Sequence, residues 1–242
     1  MNGRSGGVVL PAVLRAWAGV VAGLAALAVV GLGWAFAGDR EPAALDARVG
    51  AAAEGVGPAW RQVALVMDFL GEPGGAVVLV GGAVTGFLLA RRPRAAVLVV
   101  LGVGAAVGAT KVLKPVVGRT IHEGSLSYPS GHTAFLTAFA LVLALLATGR
   151  LGLGRAAGMS LVTVAALVAG GAMGWAQVVL SAHYVTDALG GWCTALAVVP
   201  ATAWLADRMA DRKPDRKPDR KPGRKPGRSS ARPAEAGRGA RR

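Results

Sequence analysis

Six apolar runs, each close to the length that crosses a bilayer, leave this chain few folds to adopt. They occupy residues 16–37, 73–90, 95–113, 130–148, 156–180 and 188–205. The first would extend about 33 Å as a helix, and the hydrocarbon core of a membrane is about 30 Å thick. Lipid offers no partner to an open backbone amide, so runs of this kind span as helices. The expected fold class is all-α: a polytopic membrane helical bundle of six transmembrane helices. Composition agrees, with 53% hydrophobic residues, 17% charged and a mean hydropathy of +0.49. Ala35-Phe36-Ala37 has the form of a signal-peptidase site. Its apolar stretch is too long for the usual signal core, so the segment is read as a retained helix.

The formal net charge of +14 does not point to nucleic acid, because of where it lies. Fourteen of the 27 Lys and Arg residues fall from Arg208 onward. There residues 211–226 repeat Asp-Arg-Lys-Pro three times and then Gly-Arg-Lys-Pro. Proline at every fourth position prevents a regular helix, and nothing apolar is available to bury, so a disordered tail is expected. Its natural partner is anionic lipid. The chain thus divides into a cytoplasmic N-terminus (1–15), a membrane domain (16–205) and a disordered basic cytoplasmic tail (206–242). With both termini inside, 21 basic residues are cytoplasmic and six external, as the positive-inside rule requires. Trp34, Trp175 and Trp192 then fall near the outer boundary, Trp17 and Trp204 near the inner one. Between the first two spans, residues 60–70 carry apolar side chains on one helical face and are expected to lie along the membrane surface. The single Cys193 excludes an internal disulfide and a cysteine-based metal site.

This topology brings three polar segments to the outer face. The first holds Lys111, Lys114 and Arg119. The second is Tyr128-Pro129-Ser130-Gly131-His132-Thr133, where a polar stretch gives way to the fourth span. Ser130 is a natural helix cap, and the open amides of the first turn seat a phosphate-sized anion. The third is His183-Tyr184-Val185-Thr186-Asp187. Charges at a membrane that converge in this way are usually functional. The chemistry they suit is phosphoryl transfer. Lys111, Lys114 and Arg119 neutralise phosphate oxygens, while Ser130 and Gly131 add directed N–H donors. One imidazole attacks phosphorus and the other protonates the departing oxygen. Asp187 stands four residues after His183 and can hold the far ring nitrogen, which makes His183 the nucleophile and His132 the general acid. Two histidines and an aspartate also suit a metal, but the neighbouring cations would repel a divalent ion.

These residues resemble the type 2 phosphatidic acid phosphatase (PAP2) superfamily, whose membrane members are lipid phosphatases. Pro129-Ser130-Gly131-His132 matches its second motif. His183 and Asp187, followed by Gly190-Gly191, match the third. The resemblance covers residues 73–205. It implies metal-independent hydrolysis of a lipid phosphate at the outer face of the plasma membrane, without cofactor, through a phosphohistidine on His183. An isoprenoid phosphate or diphosphate, phosphatidic acid and phosphatidylglycerol phosphate are all substrates of the implied class. Two positions depart from the pattern. The first-motif arginine is expected seven residues after Lys114, where Ile121 stands, so Arg119 must serve, paired with Lys114 or Lys111. The third-motif arginine is replaced by Gln177, which donates a hydrogen bond but no charge, at a cost of roughly 1.5–3 kcal/mol of phosphate stabilisation. These departures leave a second reading open, a catalytically weakened binder of lipid phosphate. A small transporter fits less well, because the charges gather at one face rather than at the midplane.

Overall fold

The computed structural model describes residues 10–122 and 124–211. The tail beyond them, expected to be disordered, lies outside the described residues, as do residues 1–9. A single 3-10 turn (Ala12–Leu14) leads into α1 (Arg15–Ala35). Then follow α2 (Ala44–Glu54), α3 (Pro58–Gly71), α4 (Pro73–Leu89) and α5 (Pro93–Val117). A two-stranded antiparallel ribbon, β1 (Thr120–Ile121) and β2 (Ser125–Leu126), precedes α6 (Gly131–Leu151). The described chain closes with α7 (Arg155–Val179) and α8 (Val185–Asp211).

Proline opens α3, α4 and α5, where a missing N–H costs nothing and the fixed φ suits the first turn. Glycine in the left-handed conformation closes α5 at Gly118 (φ 68°) and α6 at Gly152 (φ 60°). Five helices are long and apolar enough to cross a membrane singly, and the protein is an integral membrane protein. The expected second span is different. Here α4 has only 17 residues and qualifies together with α3 as a pair bent by 63°. Pro73 explains the break, since it supplies no N–H and drives Glu72 out of the helical region to ψ 157°. Six spans result when the bent pair is counted as one.

Nor does the 60–70 segment lie free along a surface. It docks as α3 on α7, with Ala64 fully buried against Ala176 and Val179. Trp192 also departs from its expected belt position, packing inward so that its indole N–H donates to the Ala166 carbonyl at 2.9 Å. Helix α6 is the centre of the bundle: 56% of its spanning window is buried, against 22% for α1. It packs on α5, α7 and α8, while α1 packs on α8. Outward-facing valines and leucines of α1, α4 and α7 remain exposed, as a lipid-facing surface should be.

One end of this bundle gathers the polar segments. The C-termini of α1 and α5 are tied together by Gly38 N–H to Val117 O (2.8 Å) and Thr120 N–H to Asp39 O (2.9 Å). The N-termini of α6 and α8 are tied by Ser130 N–H to Asp187 O, also 2.9 Å. Helix α2 caps this end, and its Asp46 is buried there.

Candidate active site

The start of α6 is fitted into the bundle by its neighbours' lack of side chains. A Cβ on Gly190 would strike the Tyr128 ring, and one on Gly191 would strike the Ser130 carbonyl. The two glycines therefore let α8 approach the Tyr128–Ser130 corner closely. Tyr128 is fully buried and donates its hydroxyl to Val29 O of α1 at 2.8 Å. Ser130 caps α6, its Oγ accepting from the Thr133 amide (3.4 Å) and the Thr133 hydroxyl (3.1 Å). Its own N–H is already given to Asp187, so Ser130 is not the phosphate donor expected. The N–H groups of Gly131 and His132 take no partner among the described residues, and they carry the positive end of the helix dipole.

His183 lies in the turn between α7 and α8, its Nδ1 3.7 Å from Asp187 Oδ2. That is an ion-pair separation rather than a hydrogen bond. Burial pushes the His183 pKa below its ordinary value, Asp187 opposes that shift, and the charges of Lys114 and His132 reinforce it. A buried imidazole that resists protonation keeps its lone pair for attack. Lys114 reaches across from α5 and donates to the Leu126 carbonyl at 2.7 Å, which fixes its ammonium group at the ribbon. Lys111, one turn earlier, is exposed and pairs with no other described residue.

Arg119 has other work than the phosphate contact expected of it. Its side chain is fully buried. One guanidinium nitrogen donates to Asp187 Oδ1 (2.7 Å) and the Thr186 hydroxyl (2.6 Å), the other to Asp46 Oδ2 at 2.7 Å. Phe36 and Tyr184 face the same group at 4.3 and 4.6 Å. Asp46 in turn accepts from the Thr186 amide at 3.0 Å and so caps α8. The result is a buried clamp: α2, the end of α5 and the start of α8 meet on one guanidinium, and that guanidinium fixes the carboxylate beside His183.

The other histidine meets the bend between α3 and α4. His132 Nε2 lies 3.7 Å from Asp68 Oδ1 and 3.8 Å from Glu72 Oε1. Gln177 is buried in α7 and donates its amide to Asp68 Oδ1 at 2.6 Å. It therefore faces a carboxylate, not an open phosphate pocket. Sequence reading missed Asp46, Asp68 and Glu72, and gave Thr186 no role of its own. Asp46 and Asp68 sit in stretches of mixed polarity with no motif, and only the folding of α2 and α3 onto the site gives them meaning. The third histidine, His122, hydrogen-bonds through Nε2 to the Ser181 carbonyl at 2.7 Å, strapping the ribbon to the turn that carries His183.

The model of the PAP2 superfamily matches residues 95–210, which hold every one of the expected site residues. Residues 95–210, just under half of the chain, are thus similar to that superfamily. Among solved structures it is similar to a transmembrane PAP2 type phosphatidylglycerolphosphate phosphatase from Bacillus subtilis, with a TM-score of 0.62 and 24% identity. That alignment covers 81% of this chain and 98% of the Bacillus protein, and it shows a shared fold. No curated protein matches the chain. Against the PAP2 pattern, the two uncharged positions are now explicable. Gln177 is a carboxylate holder, and buried Ile121 sits on the ribbon beside Arg119, which is occupied elsewhere.

Proposed function

We propose that this protein is a PAP2-type phosphatase that hydrolyses a lipid phosphate at the outer membrane face through a phosphohistidine on His183. The observation that carries the reading is His183 itself. Its side chain is only 10% exposed and burial lowers its pKa, its Nδ1 faces a carboxylate locked by Arg119, and the open amides of α6 lie across the Ser130–Asp187 junction. With Nδ1 turned to Asp187, the opposite nitrogen is free to attack phosphorus. Phosphate oxygens are met by Lys114 and by the amides of Gly131 and His132. As the P–O bond breaks, its electron pair goes to the departing oxygen and His132 supplies the proton. Water then attacks phosphorus, losing its proton to the now neutral His132, while the P–N bond breaks and returns its electron pair to His183, and inorganic phosphate leaves. The Bacillus protein's name, a phosphatidylglycerolphosphate phosphatase, supports a phosphorylated lipid as the substrate class.

The placement of the site follows the distribution of charge. The segments at the opposite end of the bundle carry Arg91, Arg92, Arg94, Arg150 and Arg155, which favours that end as cytoplasmic. A second reading, a weakened binder of lipid phosphate, is favoured by one observation: Arg119 is withheld from the phosphate, and Gln177 brings no charge. The test is phosphate release by purified full-length protein from a panel of lipid phosphates, with and without EDTA. Release that survives EDTA, with acid-labile phosphate trapped on the wild-type chain and absent from His183→Ala, supports the enzyme. Stoichiometric binding without release would establish the binder, and loss on chelation restored by one divalent ion would give the site to a metal.

A further inference from the structure

We propose that the bend between α3 and α4 is the second half of the active site, with Asp68 the positioning residue for His132. The inference rests on the phosphatase reading above and adds a residue set outside the motifs. Three observations converge on one ring. Gly71, the last residue of α3, lies against His132 so closely that a Cβ there would run into the ring at Cδ2, with Cγ at 2.9 Å. His132 Nε2 is enclosed, has no hydrogen-bond partner, and has Asp68 Oδ1 as its near carboxylate at 3.7 Å. Behind Asp68 stands Gln177, fully enclosed in α7, whose amide fixes Oδ1 at 2.6 Å. Glu72 adds a second, more exposed carboxylate at 3.8 Å from the same nitrogen.

The arrangement repeats the logic of the nucleophile with the ring reversed. Asp187 faces Nδ1 of His183 and frees its Nε2, whereas Asp68 faces Nε2 of His132 and frees its Nδ1. A carboxylate on one ring nitrogen fixes the tautomer and aims the other. Apo distances of this kind tighten when substrate arrives. During P–O cleavage Nδ1–H gives its proton to the departing oxygen, which takes the bond's electron pair, and Nε2–H stays on Asp68. The sharp bend at Glu72-Pro73 then has a purpose. The 63° break ends α3 at Gly71, against the ring, and leaves Glu72 at the corner beside the same nitrogen. Gln177 also takes on a role: it orients the carboxylate that orients the acid.

General acid catalysis matters most when the leaving oxygen is a poor leaving group, so leaving-group dependence separates positioning from mere structure. The experiment uses full-length protein in detergent, with a short-chain alkyl phosphate and p-nitrophenyl phosphate as substrates. Asp68→Asn keeps the shape and the Gln177 contact. It should lower kcat/KM, which reports the step that expels the leaving group, on the order of 10²-fold on the alkyl phosphate and by only a few-fold on the aryl phosphate. Gly71→Ala should show the same selective loss, because it displaces the ring. Equal losses on both substrates, or none, in a variant that melts like the wild type would overturn the proposal. A second readout does not need activity. The 15N resonances of His132, assigned by its loss in His132→Asn, should move in Asp68→Asn, and an unchanged Nε2 signal would overturn the proposal even if neither phosphate is hydrolysed. Wild-type inactivity on both substrates would instead count against the phosphatase reading.

Discussion

Arg119 offers the sharpest test, because sequence and structure assign it different work. As a phosphate ligand it would contribute to binding and little to folding. As a clamp it holds Asp46 and Asp187 at 2.7 Å each with all three side chains fully buried. Removing one partner of a buried ion pair costs about 3–5 kcal/mol, because the remaining charge is left without compensation. Arg119→Ala strands two carboxylates and belongs at the top of that range. Asp46→Ala leaves the guanidinium with Asp187 and Thr186 and belongs at the bottom. For a chain of this size these losses correspond to about 6–20 °C in the unfolding midpoint. The double variant should cost less than the two losses added, by about 0.5–3 kcal/mol, since the second deletion removes a charge the first had orphaned. Thermal unfolding of the four proteins in one detergent measures the cycle, with turnover on a lipid phosphate recorded alongside. An Arg119→Ala protein that melts normally and shows only a raised KM would refute the clamp and restore the phosphate role.

Three further outcomes follow from the site. Asp187→Asn should lower turnover by up to about 10⁴-fold while leaving KM nearly unchanged, since it spoils the orientation of His183 rather than the phosphate contacts; a variant within two-fold of wild type would count against the pair. Burial lowers the His183 pKa, so the neutral nucleophile should persist below the ordinary histidine value of about 6.5, and the acid limb of kcat/KM should lie under that value. The sign for stability is the same: below about 6.5 the unfolded chain takes a proton that buried His183 refuses, so stability falls on acidification, and a limb above 6.5 contradicts the assignment. Truncation after Asp211 should leave turnover in detergent unchanged and weaken salt-sensitive binding to anionic vesicles; a folded truncation that loses turnover would couple the tail to the site.

The spans were legible because the bilayer imposes one length and one polarity on every crossing. The local geometry of the candidate site was legible too, since Pro129-Ser130-Gly131-His132 predicts a capped helix start and the His183–Asp187 spacing predicts a facing pair. What stayed hidden was tertiary. Residues 44–54 have little amphipathic pattern, and α2 owes its place to Asp46 reaching Arg119 and Thr186. The 60–70 stretch has a clear apolar face, yet periodicity does not say whether that face meets lipid or α7. The Gly-Glu-Pro sequence at 71–73 signals a break, though nothing local says that His132 fills the angle. Arg119 was misassigned for a related reason. A cation near a phosphate motif looks like a ligand until its buried carboxylate partners, 73 and 68 residues away, are seen.

The charge around the phosphate can now be followed group by group. The clamp of Asp46, Arg119 and Asp187 carries one more negative than positive charge and lies beside His183, so in the proposed mechanism it would steady positive charge on that ring. It adds no attraction for the incoming anion. Asp68 and Glu72 lie beside the other histidine and would repel a phosphate if His132 were neutral. In the proposed mechanism attraction for the anion would come from Lys114 and from the amide end of α6. A site with Gln177 and Ile121 where charged residues were expected thus relies on Lys114 more heavily than one with two further arginines would. Lys114→Met should cost one charge-assisted contact, roughly 1.5–3 kcal/mol or about 10- to 150-fold in kcat/KM. Exposed Lys111, replaced in the same way, should cost little. Comparable losses from the two lysines would mean that the anion sits farther out along α5, beyond the reach of the Gly131 and His132 amides.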